Sequence, residues 1–335
     1  MDGAVIEFAR SDQDRAAIAL PDALLGPDGV SDLLNDLPLR LGRVRQRTLR
    51  NPIHCEGVGL HSGRRTRLVL RPGEPDSGIL FRRSDLGVTV PGRFDNVVDT
   101  RLCTVLAPSD RPDARIGTVE HVMAALAACG IDNAVVDVDG PEVPVLDGTS
   151  RPFVFLIDCA GAAEQESFRG LIEVLRPVRV EDGPAWAELR PSHAPGFTLS
   201  LGIAFDAAAI GRQSYSMRLS EAAFRRELAD CRTFTLRQEI EAMRAAGLAR
   251  GGSLDNAIVV DGAEVLNPGG LRRADEFVRH KMLDAVGDLA LAGLPLRGAF
   301  HGFRSGHGLN NRLLRALLSD PAAWRLSGGA VRRAA

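Results

Sequence analysis

Within the 335 residues, one stretch, Phe277–Leu291 (FVRHKMLDAVGDLAL), concentrates side chains whose types and spacing could do chemistry. On a helix, residues four apart lie one above the other. His280, Asp284 and Asp288 therefore share one stripe, while Val278, Met282, Ala285 and Leu289 form another with the spacing of a core-facing helix. Phe277 and Leu291 fall on the His280 side, so an imidazole and two carboxylates are expected among apolar neighbours. Two readings are open: an ordinary ion pair one turn apart, or two ligands of a divalent metal. The neighbour Lys281 bears on the choice. Lysine and arginine together number 41, and Lys281 is the single lysine. Such a bias is what GC-rich coding produces wherever either cation serves. Position 281 keeps a lysine either by chance or because it requires a compact ammonium rather than a planar guanidinium fork.

A second such cluster precedes it. Thr118 is expected to cap a helix running to Ala128 and stopped by Gly130, with Glu120 and His121 in its first turn. Val119-x-His121-x-Met123 reappears as Val278-x-His280-x-Met282, each opening a helix that leads to an apolar strand. The repeat fits two similar α/β halves, each placing a histidine at a helix start, with a pocket between them. His121, His280 and Asp284 would then supply the three ligands and open position of a catalytic zinc. Glu120 sits beside a ligand and could take a proton from water at the metal. A base needs an acid on the leaving-group side. His301 and His307 are candidates, and His307 lies between Gly306 and Gly308. Asp288 could face His307 and hold it protonated. The alternative for Glu120-His121 is a surface pair, and for His307 an exposed loop residue.

The elements that must position these groups follow from patterning. Arg65–Leu70 alternates as a half-buried strand does, just after the glycine-rich turn Gly57–Gly63. Further strands are predicted at Gly78–Arg82, Leu102–Leu106, Ile131–Val138, Leu171–Val180, Ala185–Arg190, Phe197–Phe205, Ala257–Val260 and Leu296–Phe303. Helices are predicted at Phe153–Ala160, Glu221–Asp230, Leu236–Ala246 and Asn310–Leu318. The polar stretch Glu164–Gly170 divides a first domain, 44–167, from a second, 168–325. Residues 1–43 read as a loosely attached extension with one short helix near Ser31–Asp36, or as an over-long start with the true beginning near Val44. Residues 326–335 read as a tail. Its Ala330–Ala335 end, made mostly of small residues, is a candidate recognition site for a regulatory protease.

Composition sets outer limits. Hydrophobic residues make up 45% of the chain and aromatics only 5%, which calls for aliphatic cores. A net charge of −2 argues against general attraction to nucleic acid or to a membrane surface. No apolar run reaches the roughly 18 residues of a membrane span, and the N-terminus lacks the pattern of a signal peptide. Stable membrane insertion is not expected. The five cysteines are scattered, with no C-x-x-C pair, and read as free thiols of a reducing cytoplasm. A metal would have to be held by His and carboxylate.

Taken in order, GVGLHSG (57–63), TVEH (118–121), GIDN (130–133), LDG (146–148), RTF (232–234), GGS-x-D (251–255), EFVRHKMLDA-x-GDL (276–289) and SGH (305–307) resemble the UDP-3-O-acyl-N-acetylglucosamine deacetylase family of lipid A biosynthesis. The resemblance runs from about Val44 to about Leu318, and so many motifs in the correct order are specific. It implies an α+β fold of two similar domains, each a sheet layered on helices, with the active site between them. It implies a cytoplasmic zinc amidase, with iron as a possible substitute, acting at the committed step on a nucleotide-sugar lipid. His121, His280 and Asp284 resemble its zinc ligands, Glu120 its base, and His307 its acid with Asp288 as partner. Thr233 resembles the hydroxyl that steadies the oxyanion. Lys281 and Arg304 resemble cations near the sugar and diphosphate, and Phe234 is expected to be a substrate contact. An insert at about Thr235–Glu264 would line an acyl passage, with Leu248, Gly251, Gly252, Ser253 and Ile258 as candidate liners. The extension has no counterpart in the family pattern, and Arg304 stands where lysine is common.

Two other functions compete. A phosphotransferase would use Gly57–Gly63 to cradle phosphate through backbone N–H groups, although G-x-x-x-x-G-K-[ST] is missing. A non-catalytic binder of nucleotide sugars or acyl chains would explain Arg304 and the insert but leave Glu120, His307 and Thr233 without roles.

Overall fold

Alternation builds the sheets of this protein. In Arg65–Pro72 the side chains of Thr66, Leu68 and Leu70 are buried while Arg65, Arg67 and Arg71 face solvent. A computed structural model describes residues 44–328; the extension with its expected helix, and Ala330–Ala335, lie outside the described residues. The first half contains β1 (Arg45–Leu49), β2 (Ile53–Val58), β3 (Arg65–Pro72), β4 (Ile79–Arg83), β5 (Val88–Pro91), β6 (Val97–Asp99), β7 (Val105–Leu106), α1 (Glu120–Ala128), β8 (Ala134–Val138), α2 (Arg151–Ala160) and β9 (Ala162–Phe168). The second contains β10 (Gly170–Val174), β11 (Val178–Asp182), β12 (Ala185–Arg190), β13 (Phe197–Ala204), β14 (Arg212–Arg218), α3 (Glu221–Glu227), β15 (Phe234–Leu236), α4 (Arg237–Ala245), β16 (Ile258–Asp261), β17 (Glu264–Val265), α5 (Glu276–Ala290), β18 (Leu296–Phe303), α6 (His307–Leu318) and β19 (Trp324–Gly328).

The main sheet of the first half has the order β2-β3-β8-β4-β5, with only β4 and β8 parallel. In the second half β18 is the hub. It pairs with β10 at Leu296 and Arg297, then with β12 on one side and β13 on the other. The change of partner occurs at Gly298 (φ 153°), where a Cβ would sit 2.7 Å from the Arg190 carbonyl oxygen. The segment β15-α4-β16-β17 forms a small unit of its own with a three-stranded sheet. The result is an α+β fold in which each half layers a sheet on helices.

Several expectations need correction. Leu171–Val180 is two strands, because Pro177 interrupts the ladder. Leu102–Leu106 shrinks to β7, since Leu102 has a left-handed backbone (φ 68°). The polar stretch 164–170 is mostly β9, which pairs antiparallel with β1. β19 pairs with β10 and carries ordered structure past residue 325 to Gly328. Thr118 is not a helix cap. Val119 occupies that position, and Thr118 (φ 57°) donates its hydroxyl to Glu142 Oε1 at 2.8 Å.

Helix α5 is buried along both stripes, polar and apolar. It packs on α1 from the first half and on α6, β13 and β14 from the second. The contact with α1 is unusually close. A Cβ at Gly287 would lie 2.0 Å from the Glu120 carbonyl oxygen, so only glycine permits this approach.

Candidate active site

The close packing of α1 on α5 brings together side chains far apart in sequence. The His121 and His280 rings meet edge to face, with centroids 5.1 Å apart. Asp284 Oδ1 lies 3.5 Å from His121 Nε2 and 3.3 Å from His280 Nε2. One ligand atom from each of the three residues falls within 4.8 Å of the others, and all three residues are buried. His280 Nδ1 is 3.1 Å from the Cys231 carbonyl oxygen. Donation to that oxygen selects the tautomer whose Nε2 carries the lone pair. Burial lowers the His280 imidazole to about 4, so it is neutral at pH 7. For Asp284, burial acts to raise the carboxyl, but neighbouring His280 and Lys281 overcome it and hold the group well below the usual range. Asp284 Oδ1 and His121 Nδ1 are buried without hydrogen-bond partners. Two imidazoles and an ionised, unsatisfied carboxylate oxygen fit a divalent cation of borderline hardness.

Glu120 opens α1 beside His121 but lies outside this cluster. Its carboxyl is raised, chiefly by burial. This desolvation outweighs the lowering influence of nearby His307 and His121. On the other side, Asp288 Oδ2 accepts from His307 Nδ1 and from Asn310 Nδ2, each at 2.9 Å. Burial acts to lower His307, yet the Asp288 charge and hydrogen bond win, and the imidazole is pushed up to about 9. The site therefore pairs a carboxylate of raised proton affinity with an imidazolium stable at neutral pH.

A cavity of about 470 Å³ opens onto these groups, and Glu120, His121, Thr233, Phe234, His280, Lys281, Asp284, Arg304 and His307 all line it. Asp288 stands behind His307. Lys281 Nζ donates to Asp284 Oδ2 at 2.8 Å, which ties the single lysine to the carboxylate of the His-His-Asp cluster. Phe234 packs edge to face on Phe277 and His280, at 5.0 and 6.2 Å. Thr233 is held by its amide to Gly148 and by its carbonyl to Ile258. The insert meets the cavity through Thr235, Leu236 and Glu239 rather than through Leu248, Gly251, Gly252 and Ser253. Ile258 is 0% exposed and belongs to the core. His301 lies on β18 opposite Glu188, away from the cavity lining.

Sequence reasoning missed two residues that organise the site. Glu142 accepts from the amides of His61 and Ser62, at 2.9 and 2.7 Å, and from Thr118. The His61 and Ser62 amides of the glycine-rich turn are thus filled by an internal carboxylate and those of Gly59 and Gly63 by backbone carbonyls, which takes these N–H groups from the phosphate-cradle reading. Thr104, read as part of a strand, bonds both Glu120 and Asp288. A hydroxyl residue in an otherwise unremarkable RLCTVL gives no local signal of this.

Compared with known proteins, the family model for UDP-3-O-acyl N-acetylglycosamine deacetylase matches residues 46–319. The UDP-3-O-acyl-N-acetylglucosamine deacetylase of Anaeromyxobacter sp. (strain Fw109-5) is 52% identical over 281 residues, covering 84% of this chain and 91% of that protein. The protein of the same name from Phenylobacterium zucineum (strain HLK1) is 50% identical over 284 residues, 84% of this chain and 96% of its own length. That of Methylococcus capsulatus is 50% identical over 287 residues, covering 84% and 93%.

Proposed function

Since the chain belongs to the UDP-3-O-acyl N-acetylglycosamine deacetylase family, we propose that it hydrolyses the N-acetyl group of UDP-3-O-acyl-N-acetylglucosamine in lipid A biosynthesis, releasing acetate and the free amine. The observation that carries the reading is the convergence of His121, His280 and Asp284 on one buried point, flanked by Glu120 and by the Asp288–His307 pair. The cation is zinc, with iron(II) as the alternative that the same donors accept. When bound, it supplies Lewis-acid polarisation of the amide carbonyl and acidifies water.

The side chains supply the rest. Glu120 takes a proton from the attacking water, a task suited to a carboxylate whose proton affinity is raised by burial. The Thr233 hydroxyl faces the charge that develops on the carbonyl oxygen. His307, kept protonated by Asp288, gives its proton to the departing amine. Lys281 orients Asp284 and adds positive charge at the cavity wall, and Arg304 is the second cation for the diphosphate. Phe234 is the apolar contact for the sugar. Leu248, Gly252 and Ser253 belong to the insert that the acyl chain would pass, outside the cavity lining that Leu236 contributes to.

Two domains divided at 167/168 are supported by the two large sheets, which draw their strands from separate halves of the chain, with β19 carrying the second past 325 to Gly328. A cytoplasmic location is supported by five free cysteines. No helix among the described residues is long and apolar enough to cross a membrane. Proteolytic control at Ala330–Ala335 rests on the composition of that end alone; trimming it should lengthen cellular half-life. The test of the activity is acetate release from UDP-3-O-acyl-N-acetylglucosamine without ATP. Chelation should abolish it and zinc at about one per chain restore it. Turnover that survives complete metal removal would overturn the reading.

A further inference from the structure

Thr104 lies two positions beyond Leu102, whose left-handed backbone turns this segment back into the protein. It is 1% exposed. Its amide donates to Glu120 Oε2 at 3.1 Å, and its hydroxyl donates to Asp288 Oδ1 at 2.6 Å. Glu120 begins α1 and Asp288 ends the polar stripe of α5, so one residue from a third segment holds carboxylates on two helices. The second Asp288 oxygen is occupied by His307 and Asn310. Thr104 is thus the donor that orients the remaining oxygen, and with it the plane of the carboxylate that faces His307.

We propose that Thr104 is a positioning residue that couples the two proton-transfer groups of the reaction, holding the Glu120 carboxylate and the Asp288–His307 pair in one frame. The inference rests on the deacetylase reading for the identity of that reaction, but not for the brace itself. A peptide N–H and a side-chain hydroxyl on the same threonine are linked by three covalent bonds with a single rotatable torsion, which has only a few staggered positions. Both carboxylates are therefore registered to each other without either helix having to supply the link. Proton uptake at Glu120 and delivery from His307 act on one substrate amide, so an error in their spacing falls on turnover rather than on binding.

The test uses the zinc-loaded full chain with Thr104→Val, which removes the hydroxyl and keeps the amide, and Thr104→Ser, which keeps both. Loss of a donor to a buried carboxylate predicts roughly a 10- to 100-fold fall in kcat for Thr104→Val. KM should stay within about twofold and zinc near one per chain, as expected when only transition-state alignment is lost. Thr104→Ser should recover most of the turnover. In an Asp288→Ala background Thr104→Val should add little, because the two act as a unit. Independently of activity, the His307 Nδ1 proton resonance of the zinc-loaded chain should move or broaden in Thr104→Val and return in Thr104→Ser; Thr104→Ala replaces Val if Val does not fold. An unchanged resonance, a kcat near that of the parent, a serine variant as defective as valine, or a full further loss in the Asp288→Ala background would each overturn the brace. If the parent releases no acetate, the deacetylase reading fails instead, and the resonance alone decides the brace.

Discussion

Gly287→Ala isolates the helix contact on which the proposed metal site stands. By intrinsic propensity alone, alanine should stabilise a helix interior by about 1 kcal/mol relative to glycine. The structure reverses the sign. The new Cβ would meet the Glu120 carbonyl oxygen at 2.0 Å, its carbon at 2.7 Å and the Glu120 Cα at 3.0 Å. These are backbone atoms, so relief requires α1 and α5 to separate by more than about 1 Å to reach ordinary contact. Overpacking of this kind costs about 1–3 kcal/mol, and a rigid backbone partner puts it at the upper end. After the propensity gain, the net loss is about 2 kcal/mol. For a chain of this size, with an unfolding entropy of about 2.1 cal/mol/K per residue, that lowers Tm by roughly 3 °C. His121 rides on α1 while His280 and Asp284 ride on α5. A catalytic constellation tolerates only about 0.5 Å of displacement, so zinc affinity should fall with stability and turnover should drop about 100-fold. Thermal unfolding of the metal-free chain, chelator competition for zinc, and acetate release measure the three effects. A Gly287→Ala protein more stable than the parent, with parental zinc affinity, would refute the steric argument.

The remaining predictions concern proton transfer and charge. Glu120→Ala and His307→Ala, each retaining zinc, should lose about two to four decades of turnover, and near-parental acetate release by both would remove their roles. His307 has a folded-state pKa of about 9 against an ordinary 6.5. It must be protonated to act as the acid, so kcat should fall as pH rises through about 9. Its contribution to stability has the same sign, being complete below 6.5 and lost as pH rises through about 9. Asp288→Asn should move the alkaline limb of the kcat profile toward 6.5, and a limb that stays in place would mean another group sets it. Lys281→Arg keeps the charge but replaces the compact ammonium beside Asp284 with a planar fork. Zinc affinity should fall about tenfold by chelator competition, and an unchanged affinity would show that any cation serves at this position.

What was legible in the sequence was local or one helical turn in reach. His280, Asp284 and Asp288 declare themselves because helical periodicity converts spacing into a shared face, and α5 places all three where that periodicity predicts. The two histidine-bearing helices could be paired because each carries the same short pattern. By contrast, β14 (RQSYSMR) alternates with only two apolar side chains, Tyr215 and Met217, half-buried against the core, too few to read as a strand. β1 and β9 are strands by virtue of each other, across more than a hundred residues. The same limit hides the site's supports. Thr104 and Asp288 are separated by 184 positions, and a threonine's hydroxyl has no preference visible in its neighbours. Glu142 looks like any turn carboxylate until the amides of His61 and Ser62 close on it. Burial explains the asymmetry. In solvent these donors and acceptors would be satisfied by water and carry no information, whereas inside the protein each must find a specific partner. The groups that do chemistry are marked by residue type, while the groups that hold them are marked only by the fold. Substitutions at Thr104 and Glu142 therefore test the physical account of the site more sharply than substitutions at the ligands.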